Sequence, residues 1–145
     1  MALSVLIRAA DEKDRQTLAA LENECFPDPS WKADDFFVYD CLVAEVDGTA
    51  VAFIVSRQTF AGTPEAPPER EILNLAVSTA CRRMGIATLL LQRERERGGA
   101  LFLEVRESNQ AARNLYQKFG FKKISRRNAY YQNPEESGIV MQMKW

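Results

Sequence analysis

Histidine is absent from the chain, which removes Ser-His and Cys-His nucleophile pairs, most catalytic metal sites and the commonest general base. Any proton transfer falls to Glu, Asp, Tyr, Lys or water, and no metal is expected. Cysteine is scarce: Cys25, Cys41 and Cys81 are odd in number and far apart. They argue against a disulfide framework or a zinc cluster and fit thiols packed as small hydrophobes in a reducing compartment. No apolar run approaches a membrane span, and Met1 to Arg8 lack the apolar core of a signal peptide, so a cytoplasmic protein with no membrane partner is expected. Charge of one sign is lacking too, with 19 Lys plus Arg against 20 Asp plus Glu and a net charge of −1. Without a global positive field or a basic stripe with interleaved aromatics, nucleic acid is not an expected partner, and any anion must be bound locally.

What is present suits one core. A length of 145 residues with 46% apolar content predicts a single domain over residues 1–145 that needs no disulfide to hold it. Strands are predicted at Ser4 to Ala9, Cys41 to Val46 and Ala50 to Ser56, the last two flanking Asp47-Gly48, a strong hairpin signal. Further strands are predicted at Glu71 to Val77, Ala100 to Arg106, Phe121 to Ser125 and Gly138 to Lys144. Asp11 is placed to cap a helix carrying Leu18, Leu21 and Phe26, which Pro27 and Pro29 stop. A short helix is predicted near Ala33 to Phe37, and another from the Arg82 to Ala87 turn to about Arg97, closed by Gly98-Gly99. Ser108 or Asn109 can cap a last helix with Ala111, Ala112, Leu115 and Phe119 on one face and Gly120 at its end. Phe60 to Arg70, with its Gly and three Pro residues, reads as a loop. The sum is an α/β (α+β) fold: a mixed, mostly antiparallel sheet of about seven strands with helices on both faces.

Two features point to chemistry. Arg82-Arg83-Met84-Gly85-Ile86-Ala87 lies between a strand and a helix start, where backbone N–H groups and the positive end of the helix dipole favour an anion. Gly85 and Ala87 allow close approach, and the arginines add local charge that suits a pyrophosphate. The same turn also suits an ordinary helix start with a solvated basic edge. Glu104 interrupts the apolar run Leu101 to Val105, where burial would raise a carboxyl pKa toward that of a working general base. An edge-strand Glu facing water is the plainer reading, since strand faces alternate and Arg106 shares its side. Tyr116 lies about 100° around its helix from the centre of the apolar stripe, so its hydroxyl can reach a cleft or simply complete amphipathic packing. Trp31 and the pair Tyr130-Tyr131 fit either core or a substrate mouth.

In this order the phosphate turn, then Ser108 to Tyr116, then Phe119-Gly120-Phe121 resemble the GCN5-related N-acetyltransferase (GNAT) superfamily. Leu103 to Arg106, Ser108-Asn109, Arg127 with Tyr130-Tyr131, and Gly138 to Met141 are similar more narrowly to RimI-type ribosomal-protein-alanine N-acetyltransferases. The resemblance implies acetyl-CoA as cosubstrate, held at Leu75, Ala76 and Val77, at Arg82, Arg83, Met84, Gly85, Ile86, Ala87 and Thr88, and at Asn109. It implies Glu104 as base and Tyr116 as acid, with Trp31, Asn74, Tyr130 and Tyr131 against the acceptor. The acceptor it implies is a protein N-terminal amine, Ala of a ribosomal protein being the family's example. A small amine, a lysine side chain, or acyl-CoA binding without catalysis are the alternatives. Ser30 between Pro29 and Trp31, and Ser137 where an acidic residue is common, depart from the family pattern.

Overall fold

A computed structural model describes residues 4–59, 63–66, 68–132 and 134–144. Seven strands, β1 (Leu6–Ala9), β2 (Asp40–Val46), β3 (Thr49–Thr59), β4 (Glu69–Val77), β5 (Leu101–Arg106), β6 (Lys122–Tyr131) and β7 (Glu136–Met143), form a mixed sheet in the order β1-β2-β3-β4-β5-β7-β6. Pairing is antiparallel for β1 with β2, β2 with β3, β5 with β7 and β6 with β7, and parallel for β4 with β5. Among the described residues no helix is long and apolar enough to cross a membrane. The chain divides into two compact units, one holding residues up to Arg57 with Leu73–Glu96, the other Gln58–Ile72 with the chain from Arg97 onward.

The first unit opens with β1 (Leu6–Ala9) and a single 3-10 turn (Glu12–Asp14) that leads into α1 (Arg15–Cys25). Asp11 caps that turn: its side chain accepts from Lys13 N at 3.0 Å, while Asp14 accepts from Asp11 N at 2.9 Å. Arg8 on β1 forks onto both oxygens of buried Asp14 at 2.8 and 2.9 Å and reaches Glu45 at 3.0 Å. A bidentate pair of this kind ties strand to helix start better than a lone contact would. It holds the Asp14 carboxyl below the usual carboxylate range, the hydrogen bond from Arg8 being the largest cause.

Leu18 and Leu21 of α1 pack with Phe36, Val43, Ala50, Phe53, Val55 and Ala76 in the core of this unit. Phe36 and Phe53 meet edge to face at 4.9 Å, both fully buried. Each contributes about 1.5–3 kcal/mol by leaving water. Strands β2 (Asp40–Val46) and β3 (Thr49–Thr59) close through Asp47 and Gly48, whose φ values of 50° and 80° are those of the expected tight hairpin turn. Their register shifts so that Ala44 faces Ala52 and Glu45 faces Ala50. Val51 is left over, and its carbonyl accepts from Ser78 N at 2.8 Å, just beyond the end of β4 (Glu69–Val77). A short 3-10 turn (Thr79–Cys81) and α2 (Ile86–Arg95) complete the unit. Residues Ala33–Phe37 are 3-10 helix.

In the second unit Arg70, Glu71 and Ile72 of β4 pair with Leu101, Phe102 and Leu103 of β5 (Leu101–Arg106). The helix α3 (Gln110–Phe119) is capped by Asn109, whose side chain accepts from Ala112 N at 3.2 Å, and ends at Gly120 with φ 127°. Strands β6 (Lys122–Tyr131) and β7 (Glu136–Met143) follow. Ile72, Ala100, Leu101, Leu103, Val105, Tyr116, Phe121, Ile139, Met141 and Met143 are its buried apolar residues. The strand β6 is longer than its sequence pattern predicts. It is the last strand in the sheet, exposed from Lys122 to Tyr130, and an edge strand rich in Lys and Arg carries no apolar alternation to read. Of the expected 60–70 loop, Phe60, Ala61, Gly62 and Pro67 lie outside the described residues, Thr63 and Ala66 close a turn, and β4 already starts at Glu69.

Candidate active site

In the first unit, β4 delivers Leu75 and Val77 half-buried and Ala76 buried to the start of the Arg82–Gly85 turn. Val77 O is an anchor, accepting from Cys25 Sγ at 3.3 Å and from Arg82 Nε at 3.2 Å. Glu24 accepts from both the backbone N and the hydroxyl of Thr79, at 2.7 and 3.1 Å. Past these ties Arg82, Arg83, Met84, Gly85 and Thr88 are exposed, Ala87 is half-buried and Ile86 is buried. Arg83 and Gly85 both take positive φ, 65° and 77°. Gly85 stands at the N-terminus of α2, and a Cβ added there would meet no atom within 4 Å. Positive-φ positions alternating with an ordinary one beside a helix start turn backbone N–H groups toward one side, an arrangement that takes an oxyanion. The open space at Gly85 leaves that side clear.

Glu22, on α1, gathers the other candidates of this unit. One carboxylate oxygen accepts from Ser30 N and Trp31 N, both at 3.2 Å, and the other from Asn74 Nδ2 at 2.8 Å. Trp31 is half-buried against Phe36 and Tyr39, with ring centres 5.4 and 5.9 Å away.

In the second unit Glu104 lies on β5, a strand flanked by β4 and β7 and so not an edge. It shares the half-exposed face with Phe102 and Arg106, as strand alternation requires, while Leu103 and Val105 are buried. Arg127 Nη1 donates to Glu104 Oε1 at 2.6 Å, and the Arg127 guanidinium stacks on Tyr130 at 3.9 Å. Oε2 of Glu104 is buried and has no hydrogen-bond partner among the described residues. It points at Gly138: a Cβ built there would lie 3.1 Å from Oε2, 3.2 Å from the Tyr131 ring and 3.3 Å from the Tyr130 ring. The two tyrosines meet edge to face at 5.0 Å. They are aimed by a bulge in which β6 spends Asn128, Ala129 and Tyr130 where β7 spends only Ser137, with Ala129 at φ 51°. Burial, then the Glu104 charge, pushes the Tyr131 hydroxyl up to about 12.

Tyr116 departs from its expected place beside the apolar stripe. It is the buried residue of α3, while Ala112, Leu115 and Phe119 are only half-buried. Its ring packs edge to face on Phe121 at 5.5 Å, so the helix turns its tyrosine inward and the stripe is centred one residue later than the pattern indicates. Burial, and secondarily Tyr131, holds its hydroxyl well above the ordinary tyrosine range. Asn109 is exposed at the start of α3 and already committed to capping. Glu136 takes an anchoring part next to Ser137, accepting from Ser108 N at 2.6 Å and from Arg106 at 3.4 Å.

The acetyltransferase (GNAT) family model matches residues 8–121. The chain belongs to this family. Among relatives of this GNAT chain, an N-alpha-acetyltransferase of Sulfurisphaera tokodaii is 36% identical over 110 residues, spanning 68% of this chain and 66% of the relative. The N-alpha-acetyltransferase RimI of Mycobacterium tuberculosis is 31% identical, over 88% of this chain and 84% of its own. The crystal structure of the ribosomal-protein-S18-alanine N-acetyltransferase from Escherichia coli superposes with a TM-score of 0.81 at 26% identity, covering 97% of the GNAT chain and 93% of that chain.

Sequence reasoning about this GNAT chain passed over three residues: Glu22, Arg127 as the partner of Glu104, and Gly138. Signals existed for two of them. Glu22 sits four residues after Leu18 on the apolar face of α1, where a carboxylate needs donors. A Gly inside a strand marks close approach by something else.

Proposed function

We propose that the chain works as one acetyltransferase domain in the cytoplasm, moving the acetyl group of acetyl-CoA to a protein N-terminal amine, with Ala of a ribosomal protein as the first acceptor to test. The observation that carries this reading is Oε2 of Glu104, which has no hydrogen-bond partner among the described residues and is walled by Gly138 and the two tyrosines. A buried carboxylate oxygen without a donor is costly, and a group that takes a proton during turnover is a reason to keep one. The relatives named as N-alpha-acetyltransferases support an N-terminal acceptor.

The Arg82–Thr88 turn fits a pyrophosphate, through its two positive-φ positions, the open space at Gly85 and the start of α2. Leu75, Ala76 and Val77 would flank the pantetheine arm, and Asn109 is a further proposed contact of the cosubstrate. Bound there, acetyl-CoA supplies an activated thioester. An α-amine has a pKa near 8 and is largely ammonium at neutral pH. Glu104 Oε2 takes that proton, directly or through water, while Arg127 holds Oε1 and keeps the carboxylate oriented. Tyr116, kept protonated by burial, returns a proton to the departing thiolate. Trp31 and Asn74 of the first unit, and Tyr130 and Tyr131 of the second, are the proposed contacts of the acceptor.

The test is thiol release from acetyl-CoA with peptides beginning in Ala, against lysine peptides and small amines. Turnover confined to the Ala peptides supports the reading. Turnover only with small amines or lysine replaces the acceptor, and tight acetyl-CoA binding with no turnover overturns catalysis.

A further inference from the structure

Glu22 is 2% exposed, and no salt bridge reaches it among the described residues. Its three contacts are all N–H donors: Ser30 N, Trp31 N and the Asn74 side-chain amide. A buried carboxylate held only by neutral donors is expensive to keep, and a capping or packing role could be met by a neutral residue. The chemistry of Asn74 supplies a use. A carboxamide has one donor end and one acceptor end. Because a carboxylate only accepts, the contact at 2.8 Å fixes Nδ2 toward Glu22 and turns Oδ1 away from it. A neutral partner such as Gln could face either end and would leave the orientation open.

We infer that Glu22 is a positioning residue for acceptor binding. It holds the Asn74 carboxamide with Oδ1 outward, as a hydrogen-bond acceptor for an N–H of the incoming peptide, and it pins Ser30 and Trp31 at the lip of the same site. The inference rests on the acetyl-transfer reading above. Asn74 lies one residue before the Leu75–Val77 stretch assigned to the pantetheine arm, so an N–H acceptor there serves the amine-bearing end of a peptide. The peptide must offer N–H groups to Oδ1, which both an α-amine and the first backbone amides do.

The experiment has two arms. In steady-state kinetics with an Ala peptide, Glu22→Gln raises the peptide KM roughly 3- to 10-fold, the worth of one hydrogen bond. The kcat and the acetyl-CoA KM stay within about twofold, because only acceptor positioning changes. Asn74→Ala gives a similar rise, and adding Glu22→Gln to it raises the KM no further, since the first acts through the second. In the second arm, amide NMR of the unmutated protein shows the Asn74 side-chain protons separated and slow to exchange. An unchanged peptide KM in Glu22→Gln, a full effect of that change on top of Asn74→Ala, or degenerate, fast-exchanging Asn74 protons each overturns the positioning role. The NMR arm stands even where the variants do not fold. A protein that acetylates no N-terminal peptide overturns the acceptor assignment instead, whatever the Asn74 resonance shows.

Discussion

Arg127 places Nη1 2.6 Å from Oε1 of Glu104, so one oxygen of the proposed base is occupied while the other, buried beside Gly138, is not. In the proposed reaction the two oxygens would have separate tasks: one orients the carboxylate and the other takes a proton. Arg127 is itself half-exposed, at 53%, and an ion pair so open to water is worth little to stability. Its value lies in aim.

Glu104→Gln keeps the shape of the side chain and removes the proton acceptor. We expect kcat for the Ala peptide to fall about 10²–10⁴-fold, the usual worth of a general base, with acetyl-CoA affinity unchanged by calorimetry. An unchanged kcat sinks the role of Glu104, and a parallel loss of acetyl-CoA affinity means that it holds the cosubstrate.

At the phosphate turn, Gly85 separates two effects. A side chain there meets nothing within 4 Å, but the backbone sits at φ 77°, so Gly85→Ala costs only about 1 kcal/mol of backbone strain. Gly85→Glu carries the same strain and adds a negative charge where the pyrophosphate would lie. We expect Gly85→Glu to abolish acetyl-CoA binding while its melting temperature matches that of Gly85→Ala. Full acetyl-CoA binding by a folded Gly85→Glu protein refutes the placement of the phosphates.

Alkaline stability follows from buried Tyr116 and half-buried Tyr131. Tyr131 is pushed up to about 12 and Tyr116 is raised as well, both first by burial. An unfolded tyrosine titrates near 10, so above that pH the unfolded state sheds protons that the folded state keeps. The stability is fully present below about pH 10 and lost as pH rises through the folded values. Urea midpoints should therefore fall from pH 9 to 11, and less steeply in Tyr131→Phe. Equal slopes in the two proteins would mean that Tyr131 ionises as freely folded as unfolded.

Local signals made part of this architecture legible in the sequence. Asp47-Gly48 demands positive φ from two adjacent residues, and a glycine before a helix start marks the turn proposed to hold the phosphates. Both are properties of a few consecutive residues. Glu104 stood out because the strand around it is apolar. Partners fixed by the fold were not legible. Arg127 meets Glu104 from 23 positions away and Asn74 meets Glu22 from 52, and no periodicity encodes such pairings. Burial of Tyr116 depends on Phe121 beyond the end of its helix, which the helical pattern alone does not register. The far half of β6 was missed for a related reason, since its pairing with β7 leaves no apolar stripe in an exposed edge strand.

Gly138 tests whether the close approach of backbone to Glu104 matters. Its φ is not in the positive region, so an L side chain strains no backbone there. What it meets is Glu104 Oε2 at 3.1 Å and the rings of Tyr131 and Tyr130 at 3.2 and 3.3 Å. A single methyl can be absorbed by shifts of a few tenths of an ångström, whereas the branched side chain of Val cannot avoid all three neighbours. Gly138→Val should displace the carboxylate and the tyrosine pair together, and a displacement near 1 Å at reacting groups costs on the order of 100-fold. The loss should appear in kcat and in the peptide KM, with acetyl-CoA affinity intact because the phosphate turn is carried by other residues. Unaltered kinetics in a folded Gly138→Val protein would show that the space around Oε2 is not used by the reaction.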